Sequence, residues 1–226
     1  MPRNDLIQVR SDTATNWTSV NPILAVGEQG FETDTGKFKI GTGSTAWESL
    51  PYATTSPQTF TYKVGDTGPG GGIIFFVDRY DEHTGFTYLE VAPVGTEASR
   101  TWATNVNSNR TTAVSGADSR KLGAGHQNTL DIVAQTGNIA ATCAAAYCAD
   151  ITSGGQSDWY LGSIAEIKMV YDVVHLQLGV GGFSNYYYWS SSEFDATIAH
   201  HQSFSDSSTA LSYKTSSYYV RPIRRF

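Results

Sequence analysis

Charged side chains are scarce in this sequence. Asp, Glu, Lys and Arg make up 16% of its 226 residues, against about 25% in an ordinary globular domain. A coiled coil or helical bundle needs abundant Glu, Lys, Leu and Ala, so the shortage excludes both. Gly at 22 and Tyr at 13 point instead to β-rich, loop-rich structure. Basic residues are the rarer sign: 15 Lys and Arg stand against 21 Asp and Glu, a formal net charge of −6. The basic footprint of nonspecific nucleic-acid binding is missing, and no nucleic-acid partner is expected. No apolar run approaches the roughly 18 residues of a membrane span, so no membrane insertion is expected. The opening MPRNDLIQVRSD lacks the apolar stretch of a signal peptide. Cysteine is nearly absent. Cys143 and Cys148 are too few for a disulfide scaffold and fit no zinc spacing. They read either as two buried helix thiols or as a local bond at a helix end.

The first 55 or so residues read as a separate module. A short helix can start at Asp12 or Thr13 and stop at Asn21-Pro22. Gln29–Ile40 has the pattern of a hairpin, with Asp34-Thr35-Gly36 as its turn. Such a segment buries too little surface to stand alone and should need a partner, first of all copies of itself. A polar stretch follows, then Gly70-Gly71-Gly72 leading into the apolar strand Ile73–Asp78. A phosphate-binding loop would end in Gly-Lys-Ser/Thr and open a helix. Here a β-branched and aromatic strand follows, so the glycines make a tight turn into the core, with Tyr88–Pro93 as the pairing strand. Helices are expected over Gln127–Gln135 and Ile139–Ala149. Ser163-Ile164-Ala165-Glu166 forms a capping box. It opens an amphipathic helix with Ile167, Val170, Tyr171, Val174 and Leu178 on one face. Glu166 is therefore expected to cap, not to act as a catalytic acid.

Residues 184–219 differ in texture, with eleven serines and six tyrosines among 36 positions around a spaced apolar frame of Trp189, Phe194, Ile198, Phe204 and Leu211. Tyr offers a large face, one hydroxyl and few rotors, which suits recognition. Tyr186, Tyr187, His200, His201, Tyr213, Tyr218 and Tyr219 would make a shallow amphipathic patch, while Trp189 and Phe204 are expected in the core. Adjacent histidines on a strand point to opposite faces, which disfavours His200-His201 as metal ligands. Ser190-Ser191-Ser192 with His200 or His201 has the residue types of a triad but no nucleophile elbow. A glycosidase-type pair of Glu193 with Asp195 or Asp206 is not excluded by sequence. No dense calcium loop is present; no cofactor is expected, and a structural cation stays open. Arg221 and Arg224 are expected to lock the last strand through internal carboxylates or carbonyls.

Two resemblances sharpen this reading. The run from Ile7-Gln8-Val9-Arg10 through Gly30-Phe31-Glu32-Thr33-Asp34-Thr35-Gly36-Lys37-Phe38-Lys39-Ile40-Gly41 to Leu50-Pro51-Tyr52 resembles a module of trimeric phage tail fibres and tail-tip proteins. Gly70–Phe75, Ser157-Asp158-Trp159-Tyr160-Leu161, Tyr188–Glu193 and Val220-Arg221-Pro222-Ile223-Arg224 resemble the C-type-lectin-like fold of formylglycine-generating-type proteins. Gly162 stands where that family usually has proline, and the catalytic cysteines of the formylglycine-generating enzyme are not evident, so its activity is not carried over. Some phage receptor-binding proteins on this fold are diversified by retroelements, and the Tyr/Ser/His/Asn composition of 184–219 is similar to theirs.

The resemblances imply an α+β protein. A small β-rich trimerising module at 1–55 and a linker at 56–61 would precede a C-type-lectin-like receptor-binding domain at 62–226. The implied function is a tail-fibre or tail-tip adhesin and not an enzyme. It would be made in the host cytoplasm without a signal peptide and sit in the virion. Its partners would be itself as a homotrimer, other tail or baseplate proteins, and a host-surface glycan or protein. The expected receptor contacts are Asn185, Tyr186, Tyr187, His200, His201, Ser203, Tyr213, Ser217 and Tyr218. A polysaccharide depolymerase on a fibre and a purely structural fibre part are the alternatives.

Overall fold

A computed structural model describes residues 9–53 and 60–226. Ile7, Gln8 and most of the expected linker lie outside the described residues. The chain divides into two compact units, Met1–Thr59 and Phe60–Phe226, and it mixes helices with β-sheets.

In the first unit, strand β1 (Arg10–Asp12) is followed by helix α1 (Ala14–Val20), then by β2 (Gln29–Glu32) and β3 (Phe38–Ile40). Thr13 caps α1 by accepting from the Asn16 N–H, and Asn21 ends it in the left-handed region at φ 44°, a conformation Asn tolerates. β2 and β3 pair antiparallel as the hairpin, and β1 adds parallel to β2. The core is small. Trp17 stacks on Trp47 at 4.2 Å over Leu24, and Trp17 Nε1 donates to the Phe31 carbonyl at 2.9 Å. Gly41 is required here, because a Cβ would run into the Ala25 carbonyl and Leu24. The strands leave a groove of about 350 Å³ lined by Val9, Ser11, Gln29, Phe31 and Phe38. Val20, Ile23 and Val26 are also exposed, at 67%, 59% and 82%.

The second unit contains β4 (Ile73–Val77), β5 (Tyr88–Val91) and β6 (Ala98–Thr101), then helices α2 (Gly125–Ala134), α3 (Ala144–Asp150) and α4 (Ile164–Met169). Strands β7 (Tyr187–Glu193), β8 (Ile198–Ser203), β9 (Thr209–Tyr213), β10 (Ser217–Val220) and β11 (Ile223–Arg225) complete it. One sheet has the order β6-β10-β7-β8-β9 and the other β11-β5-β4. The glycine turn before β4 wraps a carboxylate of the chain itself. Buried Glu90 accepts from the Gly70 and Gly72 N–H groups at 3.1 and 2.7 Å, and Arg224 balances its charge at 3.3 Å. A Cβ on Gly72 would meet the Val91 carbonyl oxygen, so this position is glycine for want of space.

Two helices depart from their expected outlines. The one expected from Ile139 begins at Ala144, because residues 140–142 turn, with the Cys143 N–H donating to the Ile139 carbonyl at 2.8 Å, and Cys143 itself is extended, bridged to Thr101. Cys143 and Cys148 are both buried free thiols; burial raises both pKa values. Helix α4 opens on its capping box as expected, but from Val170 to Gln177 it widens, with Leu178 bonding back to Val173. Arg221 pairs with Glu97 and donates to the Gly181 carbonyl at 2.9 Å, the locking role expected of it. Phe194 and Leu211, expected in the apolar frame, are 55% and 40% exposed: Phe194 sits in the turn between β7 and β8, and Leu211 on the edge strand β9.

Candidate functional site

The five-stranded sheet sorts its aromatic residues by face. Strand alternation sends Tyr188 into one core cluster with Phe204, 4.3 Å between ring centroids, and Trp189 into the other. Trp189 is fully buried and donates Nε1 to the Arg100 carbonyl at 3.2 Å. Register then builds a patch above Trp189. On β8, His201 lies opposite Trp189. On β10, Tyr218 packs 4.7 Å from the Trp189 ring. Tyr187 closes the group at 4.9 Å from His201 and 5.1 Å from Tyr218, and Tyr186 sits 5.0 Å from Tyr187. The Tyr218 hydroxyl shares a 2.8 Å hydrogen bond with Ser212.

Of the expected contacts, Tyr186, Tyr187, Tyr218 and His201 are brought together. Tyr186 is 48% exposed, Tyr187 and Tyr218 are half-buried, and Asn185 is exposed beside them in sequence. Ser217 is exposed at the start of β10, opposite Thr101. Tyr213 is 67% exposed on the edge strand β9, opposite Ile198, and is not in ring contact with the cluster. His200, His201 and Ser203 need correction as surface contacts, because all three are buried. They lie on β8, which is hydrogen-bonded on both sides by β7 and β9. His200 turns away from the patch toward the Phe194 ring at 5.8 Å. The Ser203 hydroxyl is held by Ser205 at 2.9 Å. His201 forms the floor of the patch.

The patch is uncharged at neutral pH. Burial, then the neighbouring His200, lowers the His201 pKa to about 4, while Asp206 pulls the other way. Burial also lowers the His200 pKa, with Arg120 adding to the effect. What remains is aromatic faces ringed by hydroxyls, a surface suited to stacking and short hydrogen bonds.

The groups considered for catalysis are committed internally. Ser190 donates to the His200 carbonyl at 2.8 Å, Ser192 to the Ser119 carbonyl at 2.8 Å, and Ser191 accepts from Asn128. Glu193 is buried against Lys214 and accepts from the Val114 N–H. The Ser203 hydroxyl, then the Ser208 hydroxyl and N–H, hold the Asp206 pKa down at about 2. Glu166 is a buried cap that also accepts from Gly123, Gly125 and the Tyr160 hydroxyl. Among the described residues, no three His, Cys, Asp or Glu side chains converge as metal ligands.

Sequence reading missed a second feature beside the patch. Arg100 on β6 and Arg110 line a groove of about 180 Å³ with Ser99, Thr101, Thr142 and Ser217. Arg100 lies directly opposite Tyr218 in the β6–β10 register. This pairing joins segments more than a hundred residues apart, and the residues around 94–125 show no periodicity that could have pointed to it.

The sheet and its aromatic patch belong to a mixed helix–strand protein. Residues 7–45 match the family model described as the major tropism determinant N-terminal domain. No curated protein matches the chain in sequence. A full-length Streptococcal bacteriophage hyaluronidase, solved with unsaturated hyaluronan octasaccharides, is 38% identical over 28% of this chain and 18% of that one, with a TM-score of 0.22. A fimbrial protein from Bacteroides ovatus is 10% identical over 88% of this chain and 61% of that one, with a TM-score of 0.47. The chain thus spans less than two thirds of either protein's length, and neither likeness defines its fold.

Proposed function

We propose that this chain is a phage tail-fibre or tail-tip adhesin. Its second unit, read as C-type-lectin-like, binds a host-surface receptor, first of all a glycan, through the Tyr-rich face of the five-stranded sheet. The observation that carries this reading is the cluster of Tyr186, Tyr187 and Tyr218 held open over the buried Trp189 and His201. Tyr186 keeps nearly half its surface in solvent beside the half-buried Tyr187 and Tyr218, and an open aromatic cluster of this kind suits a partner that covers it. The match of residues 7–45 to a tropism-determinant domain supports the same role and a place in the virion tail. In this reading the first unit trimerises through its exposed apolar groove and attaches to other tail or baseplate proteins, and three weak sites gain avidity. No catalytic step is assigned.

The test is retention of host cells on immobilised protein. Replacing Tyr186, Tyr187 and Tyr218 together by Ala should abolish retention without releasing new reducing ends from envelope polysaccharide in the parent protein. Unchanged retention would favour a structural fibre part, and new reducing ends a depolymerase.

A further inference from the structure

Arg100 and Arg110 stand differently from the arginines that lock the fold. Arg221 and Arg224 are each paired with carboxylates. Among the described residues, neither Arg100 nor Arg110 has a carboxylate at ion-pair distance. Yet both are half-buried and fixed in place. Arg100 Nε donates to the Ala140 carbonyl at 3.0 Å, and its guanidinium lies over the Tyr147 ring at 4.3 Å. Arg110 Nε donates to the Ala103 carbonyl at 2.9 Å, and Nη2 to Thr101 Oγ1 at 3.0 Å. Arg100 Nη2 and Arg110 Nη1 have no hydrogen-bond partner among the described residues and belong to side chains lining the same groove. Two guanidiniums held by their Nε atoms, with free donors at one concavity, are preorganised for an oxyanion. In a chain of net charge −6 such a cationic concavity is a local exception.

The surroundings identify what carries the anion. The groove wall is hydroxyl-rich, from Ser99, Thr101, Thr142 and Ser217. Its volume of about 180 Å³ is below the roughly 300 Å³ at which drug-sized sites begin, which suits one charged group and its immediate frame. Tyr218 is the direct cross-strand partner of Arg100, which sets the groove at the border of the aromatic patch, while the Tyr218 ring itself runs across the sheet to Ser212 on β9. We infer that the Arg100–Arg110 groove binds the oxyanion of an acidic saccharide, a uronate carboxylate or a sugar phosphate, with the hydroxyls of Ser99, Thr101, Thr142 and Ser217 facing the sugar. This rests on the reading of the adjacent tyrosine face as the receptor surface and names the class of glycan that face would take.

The test measures binding of the full chain to tetragalacturonate, its methyl ester, glucose 6-phosphate and tetraglutamate at low and high salt. Tetragalacturonate or glucose 6-phosphate should bind at least about tenfold more tightly than the neutral ester, with the preference fading at high salt. The better of the two anions identifies the source. Arg100→Gln with Arg110→Gln should remove the preference. Because both arginines brace their loops, exposed Ser99→Glu is the second variant. It keeps the arginines, supplies an internal carboxylate and should also remove the preference with an unchanged thermal midpoint. Equal binding of acid and ester, or a preference that survives both variants, would overturn the inference, and tetraglutamate binding as tightly as tetragalacturonate would overturn its saccharide assignment. Loss of cell retention in the tyrosine variants with no acid–ester preference would sink the groove alone. An arginine-dependent preference with retention unmoved by the tyrosine variants would sink the receptor-face reading alone.

Discussion

Lys214 is fully buried beside Glu193, its ammonium also facing the Trp102 ring at 4.7 Å. Removing one partner of such a pair strands the other charge, at a cost of about 3–5 kcal/mol. Lys214→Met should therefore lower the thermal midpoint by roughly 10 °C, and adding Glu193→Leu should recover most of the loss; a midpoint unmoved by Lys214→Met would contradict this account. His201 sets a pH dependence. The unfolded chain takes up a proton on this ring below about 6.5, the folded one only near 4. Between those values the unfolded state binds more protons, so stability present above pH 6.5 is lost as pH falls toward 4, by up to about 3 kcal/mol. The Tyr187, Tyr218 and Trp189 rings surround it, and the charged neighbours His200 and Asp206 act in opposite directions. Denaturant midpoints at pH 7 and 4.5 should differ less in His201→Gln than in the parent, and equal differences would count against the assignment. At this scale the sequence was legible where a residue's role follows from its type and neighbours. Trp189 and Phe204 are core, and Arg221 and Arg224 are locks. The burial of His200, His201 and Ser203 was not legible, because it depends on β8 being an interior strand.

Local chemistry set the outlines of several elements. The capping box of α4 could be read from four consecutive residues, and both of its hydrogen bonds are present. The Ser163 hydroxyl also donates to the Lys121 carbonyl at 2.7 Å. Ser163→Ala should therefore cost about 1–3 kcal/mol in a denaturant titration, more than an exposed cap, and a loss of a few tenths would show that the buried bond contributes nothing. The hairpin Gln29–Ile40 and the β4–β5 pair were legible for the same reason: turn residues and alternation lie close together in the chain. The start of α3 and the strand β6 were not. Thr101 bonding Thr142 and Ser217–Val220 pairing with Ala98–Thr101 are long-range choices, and no local propensity announces them. That is also why the arginine groove stayed hidden, while Tyr186 and Tyr187, adjacent at the start of β7, stood out in the sequence.

At the scale of the molecule, the core of the first unit holds Trp17, Leu24 and Trp47, and several of its apolar side chains are exposed, a surface that the proposed trimer would cover. Light scattering at micromolar concentration should give three times the 24.5 kDa chain mass, and a stable monomer would contradict the trimer. The central claim is that the Tyr-rich sheet face binds the host. The measurement that tests it most directly is retention of a panel of bacterial cells containing the host on the immobilised chain. It compares the parent with Tyr186→Ala/Tyr187→Ala/Tyr218→Ala and with Tyr80→Ala, which removes a ring that is 82% exposed and outside the patch. The account predicts retention by the parent and by Tyr80→Ala and its loss in the triple variant at an unchanged fold. Equal retention by all three proteins would contradict it.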